Sequence, residues 1–396
     1  MPRTKQKIKI GLVLSRTPNY SETFFNSKIK GLIQSGYEVT LFAQFHDPSF
    51  NLCKVVLAPK VYKDNAVLQI FAMLWGYTKL VCRCPKRLWK LMVLERKEKK
   101  GGLQIAKNMY NNAHMLTADL DWLHFGFATM AIQSEVVAEA IGAKMAVSLR
   151  GYDMDIYPKK HPGCYGLLWR KVDKVHAISK YMETRAKEEG LEEGVPVQII
   201  TPALDVQRFS NLPQNLRKEG MFLTIGRLHE IKGIDLILKA LKELKEQGET
   251  FIYRVIGEGK ERRVLERLIV DLGLEDEVVL KGKQTHEMIV EHLRNTEIYV
   301  QYSLSEGFCN AVLEAQAMGC LCIVSNGGAL PENVLDGETG WVVPKNNPKA
   351  LAGKILEISQ LTKEAKAKIR KAAQKRVSNE FNLESQRKQF EAFYTN

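Results

Sequence analysis

The chain of 396 residues is most informative at first in what it lacks. No apolar run reaches the eighteen or so residues of a membrane span, which argues against a transmembrane helix. The start, MPRTKQKIKIGLVLS, is basic, but IGLVL is too short for a signal-peptide core and reads as a strand. The seven cysteines (53, 82, 84, 164, 309, 320, 322) contain no CxxC pair and no zinc spacing, so reduced thiols in a cytosolic protein are expected. The first strand–helix turn, GLVLSRTPNYSETF, has no G-x-G-x-x-G, which argues against a nicotinamide or flavin dehydrogenase. No nucleic-acid motif accompanies the net charge of +13.

What is present is a soluble composition, 45% hydrophobic and 26% charged, of a length that suits two domains. Apolar runs alternate with helical patterns. KIKIGLVL (7–14), a helix over 21–36 with Ser21 as N-cap, and YEVTLFA (37–43) form a βαβ unit, so a parallel sheet is expected. DWLHFGF, AKMAVSLRG, DKVHAIS and VQIITP continue the strands. A second series begins near residue 219, after the polar stretch LDVQRFSNLPQNLRKEG. The expected architecture is α/β: two doubly wound, Rossmann-like domains facing across a cleft. The first spans 1–205 with 380–396 packed back on it, and the second spans 206–379. Ligands of such sheets sit beyond the carboxyl ends of the strands.

Three loops of the second series carry groups suited to a diphosphate and a sugar. GRLHEIKG (226–233) follows a strand and precedes a helix. Arg227 offers a planar fork and Lys232 a compact charge, while Gly226 lets backbone approach. VIGEG places Gly257 at the next strand end. SEGFCNAVLEAQAMG (305–319) sets Glu306 on a loop and Glu314 a turn into a helix, where carboxylates accept bonds from sugar hydroxyls. The backbone N–H groups of Gly307, Phe308, Cys309 and Asn310 stand at that helix's start, suited to phosphate or hydroxyl oxygens. Taken singly, each loop also reads as an ordinary cap or solvated helix face.

Together, GRLHEIKG, VIGEG, SEGFCNAVLEAQAMG and GGALPENVLDGETGWVVP closely resemble, in order and spacing, the retaining glycosyltransferases of family four, which have the GT-B fold. The resemblance implies Arg227 and Lys232 on the diphosphate, Glu314 on the ribose, Glu306 facing the transferred sugar, and 307–310 as backbone cradle. The first half, with RTPNYSETFFNSKIKGLIQSGYEV, DWLHFGF and SLRGYD, looks like bacterial exopolysaccharide transferases of the colanic-acid type. Many of those have His where this chain has Arg150, so a catalytic histidine is not available there. His124 is the nearest substitute, though a lone His beside a strand is more often structural, and Asp153 closes the SLRGYD segment. Aromatic residues 381, 390, 393 and 394 are expected to dock the terminal helix on the first domain.

The implied reaction moves a sugar from a nucleotide diphosphate sugar, a UDP-sugar before a GDP-sugar, to a glycan or polyprenyl-linked acceptor, with retention. It needs no cofactor or metal, because Arg227 and Lys232 take the metal's place and no Asp-x-Asp cluster stands beside their loop. A GT-B sugar-nucleotide epimerase and an inactive carbohydrate- or nucleotide-binding protein are the alternatives. Residues 79–100 carry nine Lys/Arg against two Glu and follow the apolar VLQIFAMLWGYT. The expectation is a cytoplasmic protein with peripheral contact to the anionic inner face of a membrane, or else a core helix followed by solvated charge.

Overall fold

The computed structural model describes residues 7–18, 23–210 and 217–395. Ser21, expected to cap the first helix, lies outside the described residues. The chain divides into two compact units. One holds 1–178, 182–200 and 386–396; the other holds 179–181 and 201–385.

The first unit is built on seven parallel strands, β1 (Lys9–Arg16), β2 (Glu38–Phe45), β3 (Lys54–Leu57), β4 (Trp122–Phe125), β5 (Lys144–Leu149), β6 (Lys174–Ala177) and β7 (Val197–Ile199). Their order is β3-β2-β1-β4-β5-β6-β7. β1 and β4 read as unbroken apolar runs because helices cover both faces of a parallel sheet. β3, in CKVVL, is too short to stand out from the sequence alone. β5 stops at Leu149, and Arg150 starts a wide helical turn that carries Asp153, so SLRG is not strand throughout. Helix α1 (Thr23–Gln34) follows β1, and α2 (Ala66–Arg83), α3 (Pro85–Lys97) and α4 (Gly102–Asn111) fill the connection from β3 to β4.

The terminal helix Leu383–Thr395 completes this unit's core. Phe390, Phe393 and Tyr394 are at most 3% exposed and join Ile10, Leu12, Leu41 and Trp122 in one apolar cluster. Lys174 Nζ donates to the Phe393 carbonyl at 2.8 Å, and Trp122 Nε1 to that of Tyr394 at 3.2 Å, satisfying carbonyls of the helix's last turn. Beneath it runs a buried polar chain. The Tyr394 hydroxyl lies 2.6 Å from His124 Nδ1, Ser148 Oγ lies 2.8 Å from both His124 Nε2 and His176 Nδ1, and His176 Nε2 meets the Ile200 carbonyl at 2.9 Å. Phe381 behaves differently from the expectation: it packs in the second unit, against Phe308 and beneath Arg376.

The second unit has six parallel strands in the order β10-β9-β8-β11-β12-β13: β8 (Met221–Ile225), β9 (Ile252–Ile256), β10 (Val278–Gly282), β11 (Ile298–Gln301), β12 (Leu321–Ser325) and β13 (Trp341–Val343). In both sheets the order reverses beside the first strand, the arrangement that leaves a crevice at the carboxyl edge.

Because Phe393 is fully buried, Phe393→Ala should lower stability by about 3–5 kcal/mol. Gln389→Ala, on the exposed side of the same helix, should stay within about 0.5 kcal/mol. Denaturant unfolding of the two variants checks this, and equal midpoints would contradict the docking of the terminal helix.

Candidate functional site

The carboxyl edge of the second sheet gathers the loops that the sequence singled out. Gly226 N donates to Ile256 O at 2.9 Å and Gly257 N to Gly282 O at 2.9 Å, so the ends of β8, β9 and β10 are laced together. Gly257 has φ +146, and a Cβ there would lie 1.8 Å from the Gly226 carbonyl; only glycine fits that approach. Beyond Gly226, Arg227 is exposed and Leu228 is buried as an anchor. The short turn Glu230–Lys232 then brings Lys232 back over Gly226, whose Cα side lies within ordinary contact of the lysine stem.

Lys232 Nζ is bound to Glu306 Oε1 in an ion pair whose side chains are each only 14% exposed. Burial pushes the Lys232 ammonium down, but the Glu306 carboxylate, helped by its hydrogen bond, more than reverses this and leaves it raised. Arg227 acts on the same ammonium in the opposite sense, which sets the two cations close together. Glu306 is held from behind: Ser303 Oγ donates to Oε1 at 3.1 Å, and Gln301 Nε2 lies 3.5 Å from it and 2.9 Å from Ser303 Oγ. Tyr299 OH donates to Gln301 Oε1 at 2.8 Å. These three alternate along β11 and its extension, so they share one face. Below, Ala329 N donates to Glu306 O at 2.8 Å, and Gly328 (φ +64) passes so close that a Cβ would lie 2.4 Å from that oxygen.

The helix Asn310–Ala317 starts directly after this loop. Of the expected backbone cradle, the Cys309 N–H is taken: it donates to Asn333 Oδ1 at 3.1 Å, and Asn333 Nδ2 donates to Cys309 O at 3.1 Å. Cys309 therefore braces the loop rather than offering a donor, and burial pushes its thiol up to about 12. Phe308 turns onto Phe381. Gly307 and Asn310 flank these two at the helix start. Glu314 sits half-buried one turn in, where burial pushes its carboxyl up to about 7. Gln301, Ser303 and Asn333 were not anticipated. Polar residues at alternate positions of an apolar strand leading to Glu306 were the available signal for the first two.

The first-unit candidates do not join one another at a surface. His124 is 0% exposed and bonded to Ser148 and Tyr394, so the structure corrects its placing at a substrate site. Burial pushes its imidazole well down, as do Lys28 and His176 nearby, and it is held neutral in the core. Arg150 is boxed by aromatic rings, with Cζ 4.2, 4.5 and 5.3 Å from the ring centroids of Phe24, Phe25 and Phe127. Asp153 is also fully buried; its Oδ1 accepts from Thr129 N and Oγ1 at 3.0 and 2.9 Å. Through these bonds it fixes the turn after β4. The open feature of this unit is a cavity of about 950 Å³ at the carboxyl ends of β1, β2 and β3, with Gln44, Lys60, Asn108, Asn111 and Gln133 among its polar lining.

Residues 207–376, which contain every one of the second-unit loops, match the family described as glycosyl transferases group 1. The chain is 27% identical over 394 residues to WcaL of Escherichia coli K12, provisionally named a colanic acid biosynthesis glycosyltransferase, covering 95% of this chain and 96% of that protein. It is 25% identical over 394 residues to AmsK of Erwinia amylovora, named an amylovoran biosynthesis glycosyltransferase, with coverage of 95% and 96%. Its fold matches the crystal structure of HepE from Anabaena in complex with UDP and glucose at a TM-score of 0.71 and 15% identity, over 98% of this chain and 99% of that one. Residues 207–376 thus match the glycosyl transferases group 1 family, and the chain is a glycosyltransferase with the two parallel-sheet domains of the GT-B fold.

Proposed function

We propose that the chain transfers a sugar from a nucleotide diphosphate sugar, with a UDP-sugar favoured, to a glycan or lipid-linked acceptor in exopolysaccharide synthesis, with retention at the anomeric carbon. The observation that carries this reading is the Lys232–Glu306 pair at the carboxyl edge of the second sheet, with Arg227 beside it. Two cations on one loop suit a diphosphate leaving group, and a carboxylate beside them suits the sugar that the diphosphate carries. The names of the two relatives support the polymer class, and the UDP and glucose bound to HepE support the donor class.

In the reaction the bond from the anomeric carbon to the diphosphate oxygen breaks, and the acceptor hydroxyl replaces it. Charge grows on the leaving oxygen while the ring becomes oxocarbenium-like. Arg227 and Lys232 stand where the leaving charge develops, and Lys232 is held in place by Glu306 before the reaction starts. A diphosphate entering the site competes with Glu306 for Lys232. Glu306 is then freed to accept from the sugar's hydroxyls, still held in place by Ser303 and Gln301. Glu314 takes the ribose hydroxyls. Metal is not required in this scheme, since the two cations do its electrostatic work. The first-unit cavity, whose lining includes amides and two lysines, has the size for the acceptor's sugars. Seven free cysteines agree with the cytoplasm as the place of work.

Two measurements follow from this scheme. Sugar transfer should persist in excess EDTA and should fall about 30- to 1000-fold in Arg227→Ala and in Lys232→Ala, the effect of removing one preorganised donor of about 2–4 kcal/mol. Activity that EDTA abolishes and magnesium restores, or near wild-type rates in either variant, would contradict the scheme. Separately, Glu314 accepts more strongly, and from both ribose hydroxyls, as the carboxylate. With its carboxyl near 7 in the free protein, UDP affinity should be about ten-fold weaker at pH 6 than at pH 8. Glu314→Gln should remove this part of the pH dependence, and a variant that keeps it in full would place the titration elsewhere.

A further inference from the structure

Helix α2 presents one face that its own unit does not cover. Val67, Ile70, Phe71, Leu74, Trp75 and Val81 are each at least 56% exposed. Their spacing puts all six on one side of the helix. Residues 66–78 contain no charged side chain. The opposite side is packed on its own unit: Leu80 is 1% exposed and Gly76 lies against the Tyr110 ring, while at the edge of the exposed face the Tyr77 hydroxyl donates to Ala106 O of α4 at 2.8 Å. A helix that is apolar all round yet half in water is an expensive arrangement unless something covers it.

The charges around this face are predominantly positive. Lys60 and Lys63, with Asp64, precede the helix; Lys79 and Arg83 end it, and Lys86 opens α3. The acids of α3 are used internally. Glu95 is 0% exposed, bonded to Asn108 Nδ2 at 2.9 Å and paired with Lys100 at 3.2 Å. Glu98 pairs with Arg170 and Lys171 at 3.3 and 3.2 Å. Arg87 is engaged within the unit, donating to Ala118 O at 2.6 Å, and Lys90, though exposed, donates to Glu139 O at 2.5 Å. Trp75 and Trp89, 64% and 63% exposed, add the amphipathic rings found at bilayer interfaces, and Lys79 Nζ lies 4.9 Å over the Trp75 ring.

We propose that α2 and the start of α3 form a seat on an anionic bilayer surface, with α2 lying in the headgroup region parallel to the membrane plane. None of the helices among the described residues is long and apolar enough to cross a membrane, and the uncharged part of α2 is about 20 Å long against a core of about 30 Å. The apolar face enters the interface, and Lys79, Arg83 and Lys86 reach lipid phosphates. Lys60, Val61 and Lys63, just upstream of α2, line the 950 Å³ cavity, so that pocket would open close to the lipid surface.

The test is cosedimentation of the full chain with vesicles of phosphatidylcholine mixed with phosphatidylglycerol, against phosphatidylcholine alone. UDP binding serves as the check on folding. The chain should bind the anionic vesicles, and raised salt should weaken the binding. One variant carries Lys79→Glu, Arg83→Glu and Lys86→Glu; another carries Phe71→Ser and Trp75→Ser. Each should bind at least about ten-fold more weakly, because every basic side chain near the surface is worth about a five-fold change. UDP binding should be unchanged in both. Absence of binding to either vesicle would overturn the proposal, as would equal binding to both that neither variant alters. So would a solution dimer that the serine variant dissociates without any vesicle binding, since a second copy would then cover the face. A chain that cosediments but transfers no sugar would leave the seat standing and refute only the proposed reaction.

Discussion

The carboxyl edge of the second sheet depends on one buried ion pair. Lys232 and Glu306 come from loops 74 positions apart in the chain and are both largely shielded from water. Taking two charges out of water is unfavourable unless each is also hydrogen-bonded, and removing one partner of such a pair costs about 3–5 kcal/mol. Ser303 and Gln301 supply the further bonds to Glu306, and the Gly328 and Ala329 backbone closes in beneath it. The pair therefore fixes two loops against each other before any ligand arrives. It also keeps a cation and a carboxylate available in one small space, which is what a charged leaving group joined to a hydroxyl-rich ring requires.

The first unit solves a different problem with the same means. Its sheet core contains His124, Ser148 and His176, polar residues on three adjacent strands, and the terminal helix brings Tyr394 to complete their bonds. His124, Ser148 and His176 all find partners in this chain, and the helix that supplies Tyr394 is held by Lys174 and Trp122. Arg150 is enclosed by three phenylalanine rings. Its charge is stabilised by the faces of Phe24, Phe25 and Phe127.

Much of this was legible in the sequence, for a physical reason. Parallel strands buried on both faces are mostly apolar, so β1, β8 and β12 stand out. Loops that approach a diphosphate need Gly, Arg and Lys after a strand, so GRLHEIKG stands out too. What was hidden depends on neighbours distant in the chain. Cys309 looked like part of a backbone cradle, yet Asn333 takes its N–H from 24 residues away. His124 looked available until Tyr394, 270 residues on, covered it. Phe381 and Phe390 looked equivalent, but the chain passes from one unit to the other between them. The apolar stretch before the basic run read equally well as core or as surface; only the packing of α2 on α4 shows which side is left uncovered.

The central claim is that Glu306 guards the sugar position and holds Lys232 only until a diphosphate claims it. Glu306→Gln separates these roles, because the amide keeps the shape and still accepts from Ser303. UDP affinity and transfer rate should be measured side by side in this variant. UDP binding should equal or exceed that of the unaltered chain, with transfer reduced by roughly 100-fold or more. A fall in UDP affinity in step with the rate would contradict that claim, and would make Glu306 a support for the phosphate loop alone.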